Sequence, residues 1–185
     1  IGKRAKLSGI ELEKQVLTYT LERFKSWYKE KGLPAEVFLS VAALKLGNPL
    51  DIDARVTAVH RFTLLPEASS LAAANKRVSN ILTKQLAHSD IAALNTALLQ
   101  EEAEKQLSDS LNSLETLIAP LLANRDYNAV LEKLAELKQP VDQFFEDVMV
   151  MAEDMELRQN RLALLDKLHK LFINVADISL LVPAK

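Results

Sequence analysis

Four side chains within one short stretch have the types and spacing to hold an anion. Lys76, Arg77, Asn80 and Lys84 fall in one arc of a helix at about 100° per residue, while Leu71, Ala74, Val78, Ile81 and Leu82 share the other side. Three cationic donors and one amide on a face the core does not claim suit phosphate oxygens and the edges of unstacked bases. A solvated helix surface carries the same pattern. A second cation stands out for the opposite reason. Near the end of the chain Leu157, Leu164, Leu165, Leu168, Leu171, Phe172 and Val175 form an apolar arc, and Arg161 lies in the middle of it. A guanidinium there needs a partner or costs several kcal/mol. An internal carboxylate is the favoured partner, with Asp147 and Asp53 as candidates; a ligand phosphate is the alternative. Arg158 and His169 flank the arc and point to solvent or RNA, and Asn80 and Asn160 could offer amides to base edges.

The residues of a catalytic centre are missing. The sequence has no Gly-rich phosphate loop, no His-Glu-x-x-His pair and no cysteine, and His60, His88 and His169 are scattered. Paired carboxylates such as Glu101/Glu102 and Glu153/Asp154 sit in polar runs, as solvated helix faces or helix starts do. The expectation is a chain with no catalytic residue, no metal site and no cofactor of its own. Lack of cysteine also excludes disulfides and is compatible with a reducing cytoplasm. No apolar run approaches the roughly 20 residues that span a bilayer, so no membrane partner is expected. The opening residues carry neither an initiator Met nor a signal-peptide core, and the chain reads as a piece of a longer protein.

Net charge is −2, but its distribution is uneven. Residues 1–84 hold 14 Lys/Arg against 8 Asp/Glu, residues 85–157 hold 4 against 15, and residues 158–185 hold 5 against 2. Basic ends around an acidic middle suit a polyanion that touches the ends and avoids the centre.

The elements that must position these residues are helical throughout. Ser8-x-x-Glu11 is a capping box for a first helix that stops before Gly32, with Ile10, Val16, Leu17, Leu21, Phe24, Trp27 and Tyr28 as a core stripe. A short helix from Pro34 to about Lys45 and a third from about Leu50 to Leu64 follow. Pro66 suits the first position of a fourth, which carries the cationic arc. Periodicity fades between His88 and Asn95. A long helix is expected over Leu98–Leu122, buried through Leu107, Leu111, Leu114, Leu117 and Ile118. Asp126 caps the next, Pro140 opens another that ends near Asp147, Val148–Met151 reads as a buried linker, and the last helix runs from Asp154 to about Asn174. The fold class is an all-α bundle.

Four segments then act together. Ala74–Leu82, Val141–Val150, and Leu157–Leu165 with its tail Val175–Leu181 closely resemble, in order and spacing, the C-terminal region of the bacterial glycyl-tRNA synthetase β-subunit family, and Asp51–Val56 looks like the same family. That region resembles the helical anticodon-binding domain shared with arginyl-tRNA synthetases and named for an Asp-Ala-Leu-Arg signature. Here the stretch reads Met155-Glu156-Leu157-Arg158, so only Leu157 and Arg158 match. The resemblance implies an anticodon-binding domain over 50–185, with residues 1–49 as helices leading in from the rest of a β subunit. It implies a glycine-accepting tRNA and an α subunit as partners in an α2β2 assembly, ATP and Mg used through that α subunit, and a cytoplasmic setting. Lys76, Arg77, Asn80, Lys84 and Arg158 are the expected tRNA contacts, and Arg161 the structural buried cation. A helical module binding proteins through its acidic middle, and an arginyl-type synthetase domain, are the competing readings.

Overall fold

The computed structural model describes residues 9–86 and 91–182, with the side chains of 9–14, 17 and 86 left aside. Among the described residues the chain forms α1 (Gly9–Glu30), α2 (Ala35–Ala42), α3 (Pro49–Phe62), α4 (Ala68–Leu86), α5 (Glu102–Ala123), α6 (Tyr127–Ala135), α7 (Lys138–Asp147) and α8 (Met155–Ile173), with 3₁₀ turns at Thr96–Leu98 and Ile178–Leu181 and no strand. The all-α expectation holds.

Helix starts follow side-chain chemistry. Asn48 accepts the amides of Leu50 and Asp51 ahead of Pro49, Asp126 accepts that of Ala129, and Asp154 accepts those of Glu156 and Leu157. Three starts differ from expectation. Pro140 does not open its helix: α7 begins at Lys138 and Pro140 lies in its first turn. Pro66 lies in a turn and α4 begins at Ala68. The long helix begins at Glu102 rather than Leu98, because Asn95 caps a separate 3₁₀ turn by accepting the amide of Ala97. The Ser8 cap and His88 lie outside the described residues.

Three burial expectations are also corrected. Leu117 of α5 is 54% exposed, since no described element covers that edge of the helix. Val148 and Val150 are buried, but Met149 and Met151 are exposed: the chain leaves α7 extended at Val148 and then turns at 150–151, so it does not lie flat against the core. On α1, Trp27 is 41% exposed and Val16 more so; among the described side chains of the stripe only Tyr28 is buried, with Leu21 and Phe24 partly covered. The reason is that α1 meets the fold chiefly through α2, at its C-terminal end, where the Tyr28 and Phe38 rings lie 5.6 Å apart and the Tyr28 hydroxyl donates to Asp53.

The core is one cluster running from Phe38 and Phe62 through Leu107, Leu111 and Phe144 to Leu164, Leu168 and Phe172. α4 is seated in it against α7, α8 and the final 3₁₀ turn. Arg55 ties α3 to α6 and to the end of α8. Its guanidinium pairs with Asp51 at 2.8 Å, donates to the Asn174 and Val175 carbonyls at the end of α8, and meets the Tyr127 hydroxyl of α6. A cation on those last carbonyls also complements the dipole of α8.

Candidate nucleic-acid interface

The inner face of α4 is fixed by Leu71, Ala72, Val78 and Leu82, all buried. That leaves Lys76, Arg77, Asn80 and Lys84 on the outside, as the helical period requires, and the four line one groove of about 540 Å³. Ala73 and Ile81 supply apolar wall, and Val182, just past the final 3₁₀ turn, closes the groove at its rim.

Two of the cations are held in place by neighbouring elements. The Lys76 ammonium donates to the Val182 carbonyl at 3.2 Å. The Arg77 guanidinium lies over the Phe145 ring of α7, 4.3 Å from its centroid. Among the described residues no carboxylate is within ion-pair distance of Lys76, Arg77 or Lys84. Among those residues nothing compensates their charge, and no described residue lining the groove is acidic. Such a surface attracts phosphate and leaves an amide free to hydrogen-bond what the phosphate carries.

Arg158 is not among the residues that line this groove. It is half-buried at the start of α8 and its guanidinium contacts the Met155 sulfur. Asn160 is no base reader: it is 3% exposed and its carbonyl oxygen accepts the Asn95 amide at 2.7 Å, fixing the 3₁₀ turn before α5. His169 is half-buried.

Arg161 is 4% exposed. Its guanidinium pairs with Glu104 at 2.7 Å and donates to the Met149 carbonyl at 2.8 Å. The partner is therefore neither Asp147 nor Asp53. Both of those lie on outward faces, and Asp53 instead accepts the Tyr28 hydroxyl. Glu104 is fully buried, and its second oxygen accepts the amides of Gln100 and Glu101. Burial pushes the Glu104 carboxyl up, but the Arg161 guanidinium and those two amides outweigh it and hold the group below the usual carboxylate range.

Sequence reasoning missed Glu104, Phe145, Val182 and Arg55 as members of these arrangements. A signal existed for two: Glu104 stands three residues into its helix, where a carboxylate reaches back to free amides, and Asp51 and Arg55 have the (i, i+4) spacing of a helix pair. Phe145 and Val182 are ordinary apolar residues whose position depends on tertiary packing. Among the described residues there is no group of His, Cys, Asp and Glu side chains that could hold a metal ion. No helix of the described residues is long and apolar enough to cross a membrane.

Comparison with known proteins adds sequence similarity to this geometry. The family described as the DALR anticodon binding domain matches residues 71–179, which span α4 to the final 3₁₀ turn. The chain is 50% identical over 177 residues to the glycine–tRNA ligase β subunit of Shewanella oneidensis, covering 96% of this chain and 26% of that protein. It is 52% identical over 169 residues to the same subunit of Marinobacter nauticus, covering 91% and 24%, and 50% identical over 175 residues to that of Shewanella baltica, covering 95% and 25%. The chain spans about a quarter of the length of the curated relatives it matches. It belongs to the DALR anticodon-binding domain family.

Proposed function

We propose, from that membership, that the chain is the tRNA-binding part of a glycine–tRNA ligase β subunit and recognises the anticodon region of a glycine-accepting tRNA. The observation that carries the reading is the carboxylate-free groove of α4, which lies within the residues that match the family. Lys76, Arg77 and Lys84 meet backbone phosphates, Asn80 meets a base edge, and Arg158 adds a contact from α8. Residues 50–185 form the anticodon-binding unit in this proposal, and 1–49 lead into it from the remainder of the subunit.

The work of such a domain is positional. Gripping the anticodon arm sets the distant acceptor end in the active site of an α subunit, and correct placement lowers the barrier of a reaction performed elsewhere. The reading therefore assigns glycine activation, with ATP and Mg, to the α subunit of an α2β2 assembly working in the cytoplasm, and gives this chain no catalytic residue.

Titrating the chain with glycine-accepting tRNA at several salt concentrations tests the proposal. Phosphate contacts release counterions, so affinity should fall steeply and log-linearly with salt. Saturable binding that ignores salt, or no binding, would favour the protein-interaction reading.

A further inference from the structure

The α4 groove is more than a cationic strip. A strip of solvated lysines grips phosphate and nothing else, but here a flat cation is backed by an aromatic ring beside an apolar wall and a free amide. The Arg77 guanidinium carbon lies over the Phe145 ring, 4.3 Å from its centroid, and Arg77 is exposed. Guanidinium planes stack on π-systems, which an ammonium cannot imitate. Ala73 and Ile81 form the apolar floor beside it, and the Lys76–Val182 bond holds the opposite rim. Asn80 follows Arg77 by three residues on the same face and is exposed; its side chain carries both a donor and an acceptor.

We infer that this groove seats a single unpaired RNA nucleobase, stacked on the Arg77 guanidinium that Phe145 holds from behind. The Asn80 amide hydrogen-bonds the edge of that base, and Lys84 takes a phosphate beside it. Arg77 is thus a stacking residue whose charge is secondary. The inference rests on the RNA-binding reading above and deepens it, replacing the phosphate contact given there to Arg77 by a base-stacking role. Unpaired bases held on aromatic or guanidinium planes and read at their edges are the usual means of sequence-specific RNA recognition.

The test uses a synthetic RNA hairpin copying the anticodon arm of a glycine-accepting tRNA, and a series in which each loop nucleotide in turn is made abasic. Arg77→Lys keeps the charge and removes the plane. It should weaken binding of the intact hairpin at least about fivefold, from the loss of one stack, with an unchanged salt slope. On one abasic hairpin of the series that penalty should vanish, and the Asn80→Ala penalty should vanish on the same one. Circular dichroism checks the fold of both variants, and Asn80→Ala carries the test alone if Arg77→Lys is misfolded. Parental affinity for Arg77→Lys, with Arg77→Ala weaker and its salt slope flatter by about 0.7–0.9, would make Arg77 a phosphate contact and overturn the base seat. A penalty that persists on every abasic hairpin would overturn it too. Failure of the parent chain to bind hairpin or tRNA would remove the RNA-binding reading itself.

Discussion

The outer face of α4 and the first turns of α8 put the same residue type to opposite uses. Arg77 sits opposite the apolar arc of its helix, has no carboxylate within ion-pair distance among the described residues, and rests on the Phe145 ring with its charge open to solvent. Arg161 sits within the apolar arc of α8, is enclosed, and has its charge neutralised by Glu104 while the Met149 carbonyl takes a further hydrogen bond. The lesson is that helical phase decides whether a cation is exposed, and the opposing element decides whether it is consumed. A paired cation has no field left for a ligand. An unpaired one held by packing has most of its charge available and little motion left to lose on binding.

The largest effect should come from breaking the buried side of the comparison. Arg161→Ala leaves Glu104 enclosed with an unpaired charge and the Met149 carbonyl without its donor, so the chain should lose about 3–5 kcal/mol of stability. Urea unfolding midpoints measure that loss. A variant as stable as its parent that binds tRNA poorly would move Arg161 into the RNA site and erase the contrast.

Arg55→Ala should cost less, about 1.5–3 kcal/mol, because its charge-assisted bonds to Asp51 and to the Asn174 and Val175 carbonyls just past α8 lie nearer the surface and water can replace part of them. Thermal unfolding of this variant would rank it between Arg161→Ala and changes on α4.

Acid should act on the same buried pair. Glu104 titrates below its ordinary range in the folded chain, so its contribution is present above the unfolded value of about 4.3 and is lost as pH falls through the folded one. The stability difference between the parent and Glu104→Gln should therefore be constant near neutrality and shrink in acid below about pH 4. A difference that stays constant through that window would mean the ion pair contributes nothing that titrates.

Much of this was legible before any coordinates. Leu71, Val78 and Leu82 set the phase of α4, so the outward arc of Lys76, Arg77, Asn80 and Lys84 followed from periodicity, and Asp126 and Asp154 named their helix starts. Arg161 announced its burial by interrupting a run of leucines. Its partner did not, because Glu104 lies 57 positions away on another helix and only packing brings them together. The α1 stripe misled for a related reason: Val16 and Trp27 show that the helix has an apolar face, but periodicity cannot say whether any element covers it. The Phe145 backing of Arg77 and the Val182 rim were invisible for the same cause, since both are contacts between elements far apart in sequence.

The smallest change in stability, and the sharpest change in binding, is expected on α4. Replacing Lys76 and Arg77 together by Ala removes two charges that no carboxylate of the described residues balances, together with one bond to the Val182 carbonyl and one cation–π contact with Phe145. Both contacts are only partly buried, where such losses come to roughly 1 kcal/mol or less. Relief of repulsion between neighbouring cations offsets part of that, so the urea midpoint should hardly move. Binding of tRNA should weaken, and its log–log salt slope should flatten by about 1.4–1.8 if both cations meet phosphate, or by about half as much if Arg77 serves as a stacking plane. Arg158→Ala, beside Met155 and away from the groove, should flatten the slope by at most one contact. A folded double variant with parental affinity and slope would return α4 to an ordinary solvated surface and leave the buried Arg161–Glu104 pair between α8 and α5 as the one side of this comparison with a defined role.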